Sequence, residues 1–300
     1  MTTRIRRSSA EHHRGFQAAL VDWQWPGDAL RPNPLELGAA LERWAAEVPE
    51  DAEVVAVLAL GVASNLLGSS EHEAAVRAAR AGLDASALDA PVGESAAVTE
   101  AWLAIVAADA AHGMDDAPSS RLLLERSLGP DVDPDDPIAP YLAMRRDLVG
   151  AQLAEAALEP GTAHGRYDDA LVAAQQLLAG IDAVGPRWTA ALFGTAGGVA
   201  MEQQAMSLFR IELEGRVAEA TLGVARTGGD PAAVETAIEQ CTDAGLPAAG
   251  PLALLGLFGA LDADAVESTA RHLTDIADAY DEPFRSTWQI AIRALEADAL

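Results

Sequence analysis

The chain has 300 residues, half of them hydrophobic but only 5% aromatic, and a formal net charge of −26 from 46 acidic and 20 basic residues. All the basic residues are arginine; there is no lysine. The acidity argues against tracking a nucleic-acid backbone, which needs a positive footprint. The single Cys241 excludes an intrachain disulfide or a Cys-rich metal site, and no apolar run is long enough to span a bilayer.

Residues 1–30 read as a basic, partly flexible N-terminal segment in which Arg4, Arg6, Arg7 and Arg14 cluster against an acidic remainder. Such a tail suits docking on the protein's own acidic surface or on a partner. It carries no apolar stretch of the secretory type, and we expect a cytoplasmic protein. Residues 31–129 read as a first helical subdomain. Asn33-Pro34-Leu35-Glu36 combines an N-cap, a first-turn proline and an acidic residue, and Leu37, Leu41, Trp44 and Val48 follow at helical spacing. A second helix covers roughly 52–67 and ends at Gly68. A third starts at Ser70-x-x-Glu73, and 84–93 is expected to be a loop. Helices bearing Trp102 and then Leu122 to Leu124 come next, with Asp115-Asp116 as the loop and cap between them. The polar run from Gly129 to Pro137 separates the subdomains.

Residues 130–300 read as a helical-repeat subdomain. Asp136-Pro137 opens a helix that the pattern ends at Glu159-Pro160-Gly161. In the next run Tyr167, Ala170, Leu171, Ala174, Leu177 and Leu178 share one face, while Asp168, Asp169, Gln175 and Gln176 face away. After the glycines at 194–198, Met206, Phe209, Leu213, Val217, Ala220 and Val224 step by three and four up to Gly228-Gly229. Pro283 starts the last helix, which reaches Leu300 without a C-cap, as a truncated repeat region would. The placement of the prolines puts all of them between helices, in the tail or in a first turn. No stretch alternates with period two, so the expected fold class is all-α.

One phrase recurs: Ala75-Val76-x-x-Ala79, Ala170-Leu171-x-x-Ala174, Ala233-Val234-x-x-Ala237 and Ala265-Val266-x-x-Thr269. The run Gly165-Arg166-Tyr167-Asp168-Asp169-Ala170-Leu171 resembles the turn and second-helix start of a tetratricopeptide repeat, and Gly228 and Ala233 match the same two positions. The resemblance implies that Gly makes the turn, Tyr packs on the first helix and the small Ala permits close approach. It also implies antiparallel helical hairpins stacked as an irregular solenoid that recognises a partner on a concave face.

Patterns with chemistry are few. Asn65-x-x-x-Ser69-x-x-x-Glu73 has the spacing of a magnesium-binding triad, but Gly68 ends its helix. Asp131-x-Asp133-x-Asp135 opens like a calcium loop but lacks the glycine and the closing glutamate. His12, His13, His72, His112, His164 and His272 include no helical ligand pair. We therefore expect no catalytic residue, metal or cofactor. Arg187-Trp188 and Arg285-x-x-Trp288 each set a guanidinium beside an indole, so Arg187, Trp188, Arg285 and Trp288 are the partner-binding candidates. The expected function is a non-enzymatic interaction module that binds a protein partner, with a cationic one suiting its acidity, or self-associates. The alternative is a helical enzyme or small-molecule sensor with a pocket between helices. If the repeated phrase is a packing device, Ala170→Leu is expected to cost about 1–3 kcal/mol through overpacking, read as a lower melting temperature.

Overall fold

Alanine has the highest helix propensity and the smallest side chain that still packs, so an Ala-rich chain with capped segments builds helices that approach closely. The computed structural model describes residues 8–12, 14–16, 34–68, 71–88, 94–129, 132–193 and 199–229. Among these residues every regular element is helical and there is no strand. The helices are α1 (Pro34–Glu47), α2 (Ala52–Gly68), α3 (His72–Leu88), α4 (Glu94–His112), α5 (Ala117–Arg126), α6 (Ala139–Ala156), α7 (Pro160–Phe193) and α8 (Val199–Thr227), with a short 3-10 turn at Pro49–Asp51. Residues 9–12 and 14–16 are also helical. The chain divides into two compact units, Met1–Leu142 and Ala143–Leu300, and the division falls within α6.

In the first unit α1 packs on α2 and α3, α2 on α3 and α4, α3 on α4, and α4 on α5. Contact with the next helix and the next but one is the pattern of stacked hairpins. Helix α4 lies at the centre: Ala101 to Ala108 are buried without a break, as are Ala110 and Ala111. A helix apolar on every side is stable only when other helices surround it. Helices α2, α3 and α4 meet closely at Gly82 of α3, where a Cβ would fall 2.7 Å from the Ala59 Cβ and 2.8 Å from Leu103 Cδ1. Leu37, Leu41, Trp44 and Val48 are all buried, as their spacing requires.

The second unit can be ordered from its side-chain pairs. Arg145 bonds Glu212 and Gln152 bonds Glu219, both across 67 residues, so α6 and α8 run parallel. The pairs His164 with Thr227 and Asp182 with Arg210 step in opposite directions along α7 and α8, making those two antiparallel. The amphipathic face of α7 is as expected at Tyr167, Ala170 and Ala174, which are buried, and at Asp168, Asp169, Gln175 and Gln176, which are exposed; Leu171, Leu177 and Leu178, expected on the buried face, are only half-buried. Ala170 is fully covered, while Ala233 lies outside the described residues.

Local details differ from the sequence pattern. Helix α3 continues to Leu88, into the expected loop, because Asp84-Ala85-Ser86-Ala87-Leu88 contains no breaker. The turn expected at Gly165 is absent: Pro160 opens α7, which runs through Gly165 without interruption. Proline is at home in a first helical turn, and one glycine in a strong helix is tolerated. Pro186 lies inside α7 rather than between helices. There it removes one backbone donor, which the rest of a 34-residue helix tolerates.

Two helix termini use left-handed caps without glycine, whereas the left-handed residue after α8 is Gly229. At the end of α4, Asp116 N–H bonds the Ala111 carbonyl and Asp115 N–H bonds that of His112, with Asp115 at φ 59. At the end of α6, Glu159 N–H bonds the Ala154 carbonyl and Leu158 N–H that of Glu155, with Leu158 at φ 60. This is the paired bonding of a Schellman motif, whose left-handed position normally holds Gly. Leu158 is 88% exposed, so no packing offsets its strained backbone. Leu158→Gly is accordingly expected to raise stability by up to about 1 kcal/mol in a denaturant melt.

Candidate interaction surface

Charged side chains in the described residues pair helix with helix. In the first unit Arg126 reaches from α5 to Glu100 on α4 at 3.1 Å and to the Leu83 carbonyl on α3 at 3.2 Å. Arg77 on α3 bonds Glu42 on α1 at 3.2 Å. Asp116 caps α5 by accepting from Ser119 N–H at 3.2 Å, and its hydrogen bonds with Ser119 hold its carboxyl below the ordinary aspartate value.

In the second unit a charged seam runs between the parallel helices. Arg145 donates to Glu212 at 2.7 Å, Arg216 to Glu212 at 2.9 Å and to Glu219 at 2.7 Å, and Gln152 to Glu219 at 2.7 Å. The Arg145 and Arg216 side chains are only 5% and 9% exposed. Further along, the Arg226 guanidinium grips both oxygens of Glu155, with Nη2 to Oε2 at 2.6 Å, and the Tyr167 hydroxyl donates to the same carboxylate at 3.1 Å. Burial is the first cause, and the Glu155 charge the second, that pushes the Tyr167 phenol far above its ordinary range. Burial pulls Arg226 the other way, but its bonds to Glu155 outweigh this and leave it raised. The Tyr167 ring fills the space beside Gly223 of α8, where any Cβ would collide with it. Three glutamates matched to three arginines make the seam self-neutralising. Its role is to fix the register of α6 against α8, since removing one partner strands a buried charge.

A second constellation holds the N-terminal segment. Ser8 N–H and Oγ both bond Glu11 Oε2, at 2.8 and 3.0 Å, and so cap the short helix locally. One turn on, His12 stacks on the Trp44 indole of α1, with ring centres 6.0 Å apart and planes 12° from parallel. The His12 Nε2 lies 3.1 Å from Glu47 Oε2. Phe16 covers the same indole at 6.1 Å. Trp44 donates from Nε1 to Asp51 at 2.7 Å and is 1% exposed. Residues 8–16 therefore pack on α1 of their own chain through His12 and Phe16; the arginines Arg4, Arg6 and Arg7 lie outside the described residues.

The partner-binding candidates lie outside what the structure describes. Helix α7 includes Arg187 and Trp188, but their side chains lie outside the described residues, as do Arg285, Trp288 and Cys241 entirely. Glu73 and Asp133 are exposed, and Asp133 accepts from Asp135 N–H in a local turn. His164 pairs with Thr227 at 3.1 Å. Among the described residues no three His, Cys, Asp or Glu side chains are grouped to hold a metal ion, and no helix is long and apolar enough to cross a membrane. The seam and the Trp44 contact escaped sequence reasoning. Their signals were present: Arg145 and Gln152, and Glu212, Glu219 and Arg226, recur every seven residues, and His12 and Phe16 stand four apart after Ser8-x-x-Glu11.

No protein-family model matches the chain, and no curated protein or solved structure matches it significantly.

In an alkaline absorbance titration Tyr167 is expected to stay silent while an ordinary tyrosine ionises. Its proton is held more tightly in the folded state, so its contribution to stability is complete below the ordinary tyrosine value and is lost as the pH rises above it. Glu155→Gln is expected to shift this ionisation down only in part, since burial is the larger cause, and to cost about 1–3 kcal/mol.

Proposed function

We propose that this protein is a non-enzymatic helical interaction module whose acidic faces take a cationic protein partner. The observation that carries the reading is a separation of charge by role. Arg77, Arg126, Arg145, Arg210, Arg216 and Arg226 each sit in an ion pair within the chain. The exposed carboxylates of Glu50, Glu53, Glu71, Glu73, Asp168 and Asp169 take no ion pair among the described residues. These six arginines serve the fold; Arg14, Arg43, Arg80 and Arg121 are exposed, but the outward-facing charge is dominated by the acidic surplus, which steers and holds a positive surface. The stacking of α1 to α5, and the parallel α6 and α8 with α7 antiparallel, support a solenoid related to tetratricopeptide repeats. Arg187, Trp188, Arg285 and Trp288 belong to the proposal as anchors, since Arg and Trp are enriched among residues that dominate binding.

The test is capture of a partner from the native host by the full chain, followed by titration of that partner. Binding is expected to weaken steeply between about 50 and 500 mM salt, as screening shortens the reach of exposed charges. Asp168→Arg with Asp169→Arg is expected to weaken it several-fold, while stability moves by no more than about 0.5 kcal/mol per site. Binding indifferent to both changes, or a turnover abolished by substituting Glu73, Asp133 or His164 in folded protein, would falsify the reading.

A further inference from the structure

We propose that the outer face of α5 is a self-association surface, on which α5 of a second copy of this chain lies antiparallel about a two-fold axis. Helix α5 is the last full helix of the first unit and packs on α4. Ser120 is buried on that side and donates from Oγ to the Ala108 carbonyl at 2.7 Å, and Arg126 reaches Glu100 of α4 and the Leu83 carbonyl of α3. The opposite face holds Pro118, Arg121, Leu122 and Glu125 at helical spacing, with Leu128 in the turn that closes the helix, and all five are exposed. Leu122 is 68% and Leu128 64% exposed. A stack of helices stays soluble when its end helix presents a polar outer face. This one presents two leucines and a proline, with its two charges between them.

Charge complementarity selects a second copy as the occupant. The exposed charges from Pro118 to Leu128 are one arginine and one glutamate, in a chain at −26. Copies that meet through their acidic faces repel, whereas this face is neutral. Arg121 and Glu125 take no ion pair among the described residues. They stand one turn apart with opposite signs, so the face is its own complement when reversed. In the antiparallel pairing Arg121 meets Glu125 of the copy, and Glu125 meets Arg121 of the copy. Pro118 then lies against Leu128 of the copy at both ends, and the two Leu122 side chains pack across the axis. A parallel pairing would set arginine on arginine. A cationic partner gains nothing from a neutral face that carries an arginine. One face of a 10-residue helix buries less than the roughly 1,200 Å² of a standard interface, so the dimer is weak and reversible. The inference does not rest on the cationic partner proposed above and stands if none is found.

The test is sedimentation velocity of full-length chains over a concentration series, with circular dichroism melts to establish folding. The wild type is expected to show a reversible dimer whose share grows with concentration. Leu122→Asp is expected to lose it. Arg121→Glu or Glu125→Arg alone sets like charges across the axis, and each is expected to weaken self-association several-fold. An equimolar mixture of these two variants makes both pairings opposite in sign again, and is expected to form a heterodimer at least as readily as the wild type pairs with itself. The double variant, Arg121→Glu with Glu125→Arg, is expected to recover self-association. A wild type that stays monomeric at every concentration overturns the proposal. So does a dimer that Leu122→Asp leaves intact, or a mixture of folded single variants that forms no heterodimer. An α5 face that stays open to hydrogen exchange in the concentrated pure chain, and is protected only on adding host extract, belongs to another protein and also overturns it.

Discussion

Close approach of helices through small side chains is the constraint on which the rest of the structure depends. With few aromatics, the core cannot be filled by a handful of large rings, so α2, α3 and α4 close on one another until Ala59, Gly82 and Leu103 meet. Helices held this near leave little space between them for a side chain to adjust. That is why α4 is buried on every side from Ala101 to Ala108. Dispersion between closely packed methyl groups is individually small and collectively large, and it disappears quickly when the gap widens.

Charge then does in the second unit what small residues do in the first. Helices α6 and α8 are bridged by long side chains, Arg145 and Gln152 from one and Glu212 and Glu219 from the other. A seam of this kind is weak as a source of stability, because desolvation offsets most of the attraction. Its value lies in discrimination. Sliding α8 by one turn would set arginine against arginine and leave buried carboxylates bare. Alanine contacts alone would tolerate such a slide, since one alanine resembles the next.

Much of the fold was legible in the sequence because helices announce themselves locally. Leu37, Leu41, Trp44 and Val48 show the period of α1, and Asp116 before Pro118 marks the start of α5. The face of α7 could be read at Tyr167, Ala170 and Ala174, while Leu171, Leu177 and Leu178 are only half-buried. What was not legible depended on competition between elements. Gly165 looked like a turn because glycine often makes one, yet Pro160 had already supplied the helix start five residues earlier. Leu88 ends α3 later than the loop residues suggested because nothing before it opposes a helix. The charged seam joins residues 67 apart, and no local pattern states which heptad will face which. Beside Trp44, the bond between His12 and Glu47 joins residues 35 apart through a histidine, a residue whose meaning is set wholly by its neighbour.

Asp116 stands at the junction of two helices and serves both. Its backbone N–H closes the last turn of α4 by bonding the Ala111 carbonyl, and its side chain opens the first turn of α5 by bonding Ser119. A connection in which one residue is the last word of one helix and the first of the next has no spare length. Inserting a single residue there would separate the two duties, and deleting one would leave a duty unfilled. Among descendants of this sequence, the segment from Gly113 to Asp116 should therefore keep its length while its residues change. Drift in length would collect instead in the stretch around Asp133 to Asp136, where each aspartate answers only to its own turn.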